Sequence, residues 1–299
     1  MPNAKIKNYL HLHLIVFIAG FTAILGELIS IDAIPLVWFR MSIAGILMFF
    51  YIKFRKVSLN VDFKSIVKFS IAGIIIALHW ITFFEAIKQS NVSITLAMYS
   101  TGAFFASLIE PLFYKRRIIG YEILFGLIVI VGVWIITKTE FEYINGIVLG
   151  ILSALFSTIF AVINSKLVQR NSATLISFYE FISGVICISL FIIFFRDGFD
   201  LAFFSISSND WVYLFILASV CTAYAFIAAV HVMKYISPYT VVLTNNLEPI
   251  YGIVLALLLF PKSEKMSLEF YLGAILIIST VILNGILKNS KKGKAKRLA

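Results

Sequence analysis

The sequence predicts an all-α polytopic membrane protein: ten transmembrane helices in two inverted five-helix repeats, with both termini in the cytoplasm. Composition, the spacing of apolar segments and a self-similarity between the two halves carry that expectation. Of 299 residues, 61% are hydrophobic and 13% charged, and the mean hydropathy is +0.99, a level that water-soluble domains do not approach. Apolar segments of about 20 residues joined by short polar links take up almost the whole length, which leaves no room for a soluble domain.

The segments run at about Leu10 to Ile31, Ala33 to Ile52, Ser65 to Ile87, Val92 to Tyr114, Ile119 to Thr137, Gly146 to Val168, Thr174 to Phe195, Trp211 to Met233, Tyr239 to Phe260 and Phe270 to Leu287. Each can cross about 30 Å of hydrocarbon as a helix rising about 1.5 Å per residue. Hydrophobicity along them is continuous rather than alternating, which excludes strands. The first segment follows MPNAKIKNY without a small-residue cleavage site and reads as a retained span rather than a leader. The fourth opens after Asn91, whose side chain suits a helix N-cap; the glycosylation pattern NVS there lies too close to the membrane to serve. Cys187 and Cys221 fall inside apolar segments and read as small core residues, with no disulfide framework.

Charge sets the orientation. With the amino terminus in the cytoplasm, 19 of the 25 Lys and Arg residues fall in cytoplasmic links and tails and five on the other side, with Arg40 left inside the membrane. The net charge of +10 therefore flanks the spans, and the tail KNSKKGKAKRLA reads as a basic extension beside anionic headgroups rather than a nucleic-acid site.

The halves echo one another. KRRIIGYEILFGLIVIVGVWI from Lys115 and KSEKMSLEFYLGAILIISTVI from Lys262 align without gaps at an offset of 147, pairing Glu122 with Glu269 and Gly126 with Gly273. WFR (Trp38 to Arg40) answers FYE (Phe178 to Glu180), and AIKQSNVS from Ala86 answers VMKYISPY from Val232, in the same order. Five spans is an odd number, so the second copy enters the bilayer with reversed polarity, and a pathway is expected between the copies near mid-depth. The expected organisation is a tail at 1–9, a first repeat at 10–137, an external linker at 138–145, a second repeat at 146–287 and a basic tail at 288–299.

These segments carry a resemblance. The 5 + 5 inverted layout, LVWFRMSIAGIL, LHWITFFEAIKQSNVSITLAMYST and LEPIYGIVLALLLFPKSEKMSLEFYLGAILI are similar to the drug/metabolite transporter superfamily, EamA type. The resemblance implies a ten-span transporter that moves amino acids, other metabolites or drugs across the cytoplasmic membrane, commonly outward. One departure stands out: the first repeat has KRR at Lys115 to Arg117 where the second keeps KSE ending in Glu264, so the loop roles of the halves are expected to differ.

Candidate site residues are those that hydrocarbon rejects. An ionisable side chain near the bilayer centre costs about 2.5 to 3.5 kcal/mol on insertion scales, so it needs a partner or a wet cavity. In TNNLEP, Glu248 lies near mid-depth, Asn245 is its i−3 neighbour on one face, Asn246 is adjacent, and Pro249 removes a backbone donor. The 147 offset sets Tyr99 and Thr101 opposite Asn246 and Glu248. His79 and Trp80 of the third span offer an imidazole and a flat ring. Arg40 is either paired with Glu27 or an anchor for a substrate carboxylate, and Trp38, Tyr179, Glu180 and Tyr224 complete the set. Interhelical hydrogen bonding is the competing account of Asn245, Asn246 and Thr101. Glu85 and Lys88 are expected to form a rim pair.

The function these features suggest is a secondary transporter exporting small organic metabolites, amino-acid-like compounds or drugs, by alternating access. Nothing resembles a nucleotide-binding loop or HExxH, and HLH sets its two imidazoles about 200° apart, so no metal or cofactor is expected. Proton coupling through Glu248 or His79, or facilitated diffusion, is left. Rival classes are a channel or scaffold, against which bulky aromatics (29 Phe, 13 Tyr) speak, and an integral-membrane enzyme, which would cluster its ionisable groups at one interface. The expected partners are a small-molecule substrate and the lipid bilayer, in a multi-pass monomer of the cytoplasmic membrane that binds no nucleic acid.

Overall fold

Helices start where the short links supply a cap. Asp62, Asn91, Ser172, Asp200 and Ser207 each accept a hydrogen bond from the backbone N–H three residues on, satisfying a donor that the helix itself leaves open. At Asp62 the hydroxyl and amide of Ser65 hold the exposed carboxyl below the usual carboxylate range. Asn91 caps as the sequence suggests, its Oδ1 2.8 Å from the Ile94 N–H.

The computed structural model describes residues 2–115, 117, 120–233, 244 and 247–297. Among them the regular elements are α1 (Pro2–Leu28), α2 (Ala33–Phe54), α3 (Phe63–Gln89), α4 (Val92–Tyr99), α5 (Gly102–Tyr114), α6 (Gly120–Thr139), α7 (Ile144–Leu167), α8 (Ala173–Phe195), the short α9 (Leu201–Phe204), α10 (Ser208–Ala218), a π-helical turn (Ser219–Tyr224), α11 (Ala225–Met233), α12 (Glu248–Leu259) and α13 (Leu268–Arg297), with no strand. Among the described residues, eight helical stretches are long and apolar enough to cross a membrane, and Glu248–Leu259 and Leu268–Asn284 are shorter apolar helices. The chain is therefore a helical, multi-pass membrane protein.

The helix packing comes in matched pairs. Helix α2 lies on α8, α6 on α13, and α4 on α12; α3 packs on α7 and α8, much as the α10–π–α11 stretch packs on α1 and α2; α1 lies on α12 as α4 and α5 lie on α7. At the α6–α13 crossing the approach is close enough to require glycine on both sides. A Cβ on Gly132 would stand 2.9 Å from the Gly273 carbonyl oxygen and 2.7 Å from Ile277 Cγ1, and one on Gly273 would meet the Gly132 oxygen and Ile136 Cγ1 at the same distances. The ungapped alignment pairs Gly126 with Gly273, whereas the crossing pairs Gly132 with Gly273; Gly126 faces the Phe104 ring instead.

One end of the bundle is tied by acidic side chains. Ser30 donates its amide and hydroxyl to Asp210, both at 2.7 Å. Glu264, fully buried, accepts the amides of Val92 and Ser93 at 2.9 and 2.8 Å, sealing the start of α4 from the link that follows α12. Glu140 accepts from the Ser267 hydroxyl at 2.5 Å. Beside them Trp38, Phe39, Phe199, Phe203, Phe204 and Trp211 form an aromatic cluster. The expected rim pair is rearranged: Lys88 donates to the Ile29 carbonyl at 2.9 Å and Glu85 accepts from Gln89.

Candidate functional site

Arg40 is a charged side chain buried in the core. It is 3% exposed; its Nε donates to Thr222 Oγ1 at 2.8 Å, its guanidinium carbon sits 3.9 Å from the centre of the Trp80 ring, and Phe84 lies at 5.5 Å. Stacking on indole suits the planar, weakly hydrated guanidinium and is worth about 2 kcal/mol or more when desolvated. Its Nη1 is buried and has no hydrogen-bond partner among the described residues. The alternative pairing with Glu27 is not formed: Glu27 lies in the fields of Glu264 and Lys88, while Arg40 points to α10–π–α11.

Thr222 reaches Arg40 from a stretch where the helix is underwound, with one extra residue in the turn. Its hydroxyl donates to the Leu217 carbonyl, five residues back, within the π-helical turn. Single π turns inside helices are rare and concentrate at functional sites. Cys221 of the same turn also lies in the field of Arg40. Trp80 is held edge-on by Phe226 (6.2 Å) and tilted on Phe181 (5.9 Å), which fixes the platform under the guanidinium.

Glu248 opens α12 and is partly exposed, and Arg40 and Tyr99 both lie within its electrostatic reach. Pro249 sits in the first turn of α12, where a missing N–H breaks no helical bond. The fourth span is broken at the matching place: α4 ends at Tyr99 and α5 begins at Gly102. Ser100 Oγ donates to the Leu96 carbonyl and Thr101 Oγ1 to that of Met98, side-chain competition that bends helices. The end of α4 and the start of α12 are neighbours: the two helices pack on each other, and Tyr99 lies in the field of Glu248.

His79 is anchored rather than free. Its Nδ1 lies 3.0 Å from the Ser153 carbonyl oxygen and 2.9 Å from the Ser153 hydroxyl, and its ring stacks on Tyr99 at 5.6 Å. Tyr99 in turn shares a hydrogen bond with Ser157 at 3.0 Å.

The structure thus brings together Arg40, His79, Trp80, Tyr99 and Glu248, with Thr101 at the helix break beside them. Four other candidates lie elsewhere. Trp38 donates to Ser189 within the aromatic cluster at the tied end. Tyr179 donates to the Leu59 carbonyl in the α2–α3 link, and Glu180, 1% exposed, accepts from Asn164 at 2.7 Å. Tyr224 is 41% exposed and bonds to His11 at 2.7 Å. Asn245 and Asn246 lie outside the described residues. The sequence reading missed Thr222, Ser153 and Ser157; lone hydroxyls in apolar segments were the only signal for them.

A groove of about 530 Å³ lies between α2 and α8, lined on one side by Ser42, Gly45 and Phe49 and on the other by Phe181, Ile182 and Ile186. Met41, the neighbour of Arg40, also borders it.

Comparison with known proteins agrees with this architecture. The EamA-like transporter family matches the chain twice, over residues 7–138 and 144–286. None of the curated proteins matches it significantly. A crystal structure of a protein is similar over 94% of this chain and 98% of that one, with a TM-score of 0.64 at 13% sequence identity, a likeness that carries the fold alone. With both halves matched over most of its length, the chain belongs to the EamA-like transporter family of the drug/metabolite transporter superfamily.

Proposed function

We propose that the chain is a secondary transporter that binds a small zwitterionic or anionic metabolite, amino-acid-like compounds first, at the Arg40–Trp80–Glu248 cluster. The observation that carries this reading is the buried guanidinium with an unused Nη1: a charge desolvated to this degree is destabilising unless an anion completes it. A substrate carboxylate completes Arg40, and a substrate ammonium suits Glu248 on the facing helix. Binding of the zwitterion then replaces two desolvation penalties with two charge-assisted contacts.

The same reading takes ten spans in two inverted repeats, 10–137 and 146–287, with cytoplasmic termini, in a monomer of the cytoplasmic membrane. The tied end that carries Asp210 and Glu264 is then the outer one. Alternating access rocks the repeats about the cluster, and the breaks at Tyr99–Gly102 and before Glu248 let the half-helices move separately. Outward movement is the direction the family resemblance favours. Glu248, partly exposed, is the better proton-coupling group, because His79 Nδ1 is committed to Ser153.

A thermal-shift screen of purified protein against amino acids, nucleosides, polyamines and aromatic amines tests this. A ligand at 100 times its Kd stabilises by about 2.7 kcal/mol. Stabilisation by an amino acid that is lost in Arg40→Gln is expected; equal stabilisation of that variant removes Arg40 from the site.

A further inference from the structure

The groove between α2 and α8 is a second, apolar compartment that opens from the side of the bundle and is bordered by Met41, the chain neighbour of Arg40. Its walls are Ser42, Gly45 and Phe49 on α2 and Phe181, Ile182 and Ile186 on α8; Ile182 and Ile186 are 37% and 54% exposed, so the opening faces lipid. Its volume of about 530 Å³ is that of a small-molecule pocket rather than a packing defect. The floor joins it to the cluster: Phe181 lies 5.9 Å from the Trp80 ring, and that ring carries the guanidinium. The polar wall group, the Ser42 hydroxyl, is buried without a hydrogen-bond partner among the described residues. At Gly45 there is room on the α2 wall: a Cβ there would meet only Phe181 Cβ, at an ordinary contact distance of 3.8 Å. The α8 wall is also seated through glycine: Gly184 leaves room for the Met41 side chain.

We propose that this groove holds the apolar tail of an amphipathic carboxylate whose head reaches Arg40, so that such solutes enter from the bilayer rather than from water. The proposal rests on the reading of Arg40 as an anion anchor. An apolar wall open to lipid selects a tail, and a buried guanidinium behind its floor, whose Nη1 has no hydrogen-bond partner among the described residues, selects a negative head. Together they specify a fatty-acid-like anion and reject a tail bearing a cation. In the orientation taken above, α2 runs inward from Ala33, and the groove faces the inner half of the bilayer.

Protein in nanodiscs, titrated with butanoate, decanoate and decyltrimethylammonium, provides the test. Each methylene buried is worth roughly a fourfold change in affinity, so the wild type is expected to bind decanoate at least about 100-fold more tightly than butanoate and the ammonium weakly. Gly45→Leu fills the groove from α2 and Ile186→Trp from α8. Each is expected to weaken decanoate on the order of tenfold and leave butanoate unchanged, while Arg40→Gln loses both anions. If both filling variants bind decanoate as the wild type does, or the ammonium binds as tightly as decanoate, the groove holds bilayer lipid only and the inference is overturned. If butanoate binding survives Arg40→Gln, the anchor reading itself fails.

Discussion

Replacing Glu264 by alanine removes the carboxylate that seals the start of α4. Its two oxygens each take one backbone N–H, from Val92 at 2.9 Å and Ser93 at 2.8 Å, in a fully buried setting. Hydrogen bonds to a charged acceptor are worth about 1.5 to 3 kcal/mol each, and a buried amide left without a partner costs a similar amount. Asn91 still caps Ile94, which limits the fraying to two donors. The expected loss is therefore about 3 to 5 kcal/mol, or a Tm lower by roughly 6 to 15 °C for a chain of this size. Glu264→Gln keeps one acceptor but turns an NH₂ toward the second amide, so it falls between alanine and wild type. Thermal unfolding of the detergent-purified variants, followed by intrinsic fluorescence, reads the effect. An alanine variant melting within about 2 °C of the wild type would refute the assignment of Glu264 as the seal.

Other outcomes follow from the packing. Gly132→Leu and Gly273→Leu each drive a side chain into the opposing carbonyl and isoleucine, so each is expected to lower the yield of folded protein, and the double variant to be non-additive because one crossing is broken twice. Ser153→Ala removes one of two contacts to His79 Nδ1 and leaves the carbonyl, costing about 1 kcal/mol, whereas His79→Ala also strips the Tyr99 stack and costs more; chemical denaturation compares them. Asp62→Asn weakens the first turn of α3. Since the Asp62 carboxyl is held below its ordinary range, its contribution is present above that range and vanishes as the pH falls through the folded value. Wild type and variant are thus expected to converge in Tm under strongly acidic conditions.

The helical class and the membrane location were legible because both follow from hydropathy summed over windows of about 20 residues, a signal that tertiary contacts do not alter. The cap at Asn91 was legible for the same reason, being a local bond. The partner of Arg40 was not. Thr222 lies 182 residues away, and only the π-helical turn, which no composition rule marks, rotates it into place. Trp38 illustrates a signal present but unused: residues two apart on a helix lie about 200° apart, so Trp38 and Arg40 had to face different neighbours, and they do. Equivalence and contact are different relations here: the repeat alignment sets Gly126 beside Gly273, while the glycines that meet at the crossing are Gly132 and Gly273, a contact that the alignment does not carry. The departure of KRR from KSE proved informative, since Glu264 caps α4 by its negative charge and a basic residue at the equivalent place has no such use for a helix N-terminus.

The central claim is that Arg40 and Glu248 together hold the solute that the protein carries. Counterflow in proteoliposomes addresses it most directly: vesicles loaded with an unlabelled amino acid identified by the thermal screen are diluted into its labelled form. Transient accumulation of label by the wild type, reduced at least about tenfold in Arg40→Gln and in Glu248→Gln at equal reconstituted amounts, is the expected result. Undiminished counterflow in both variants would contradict it.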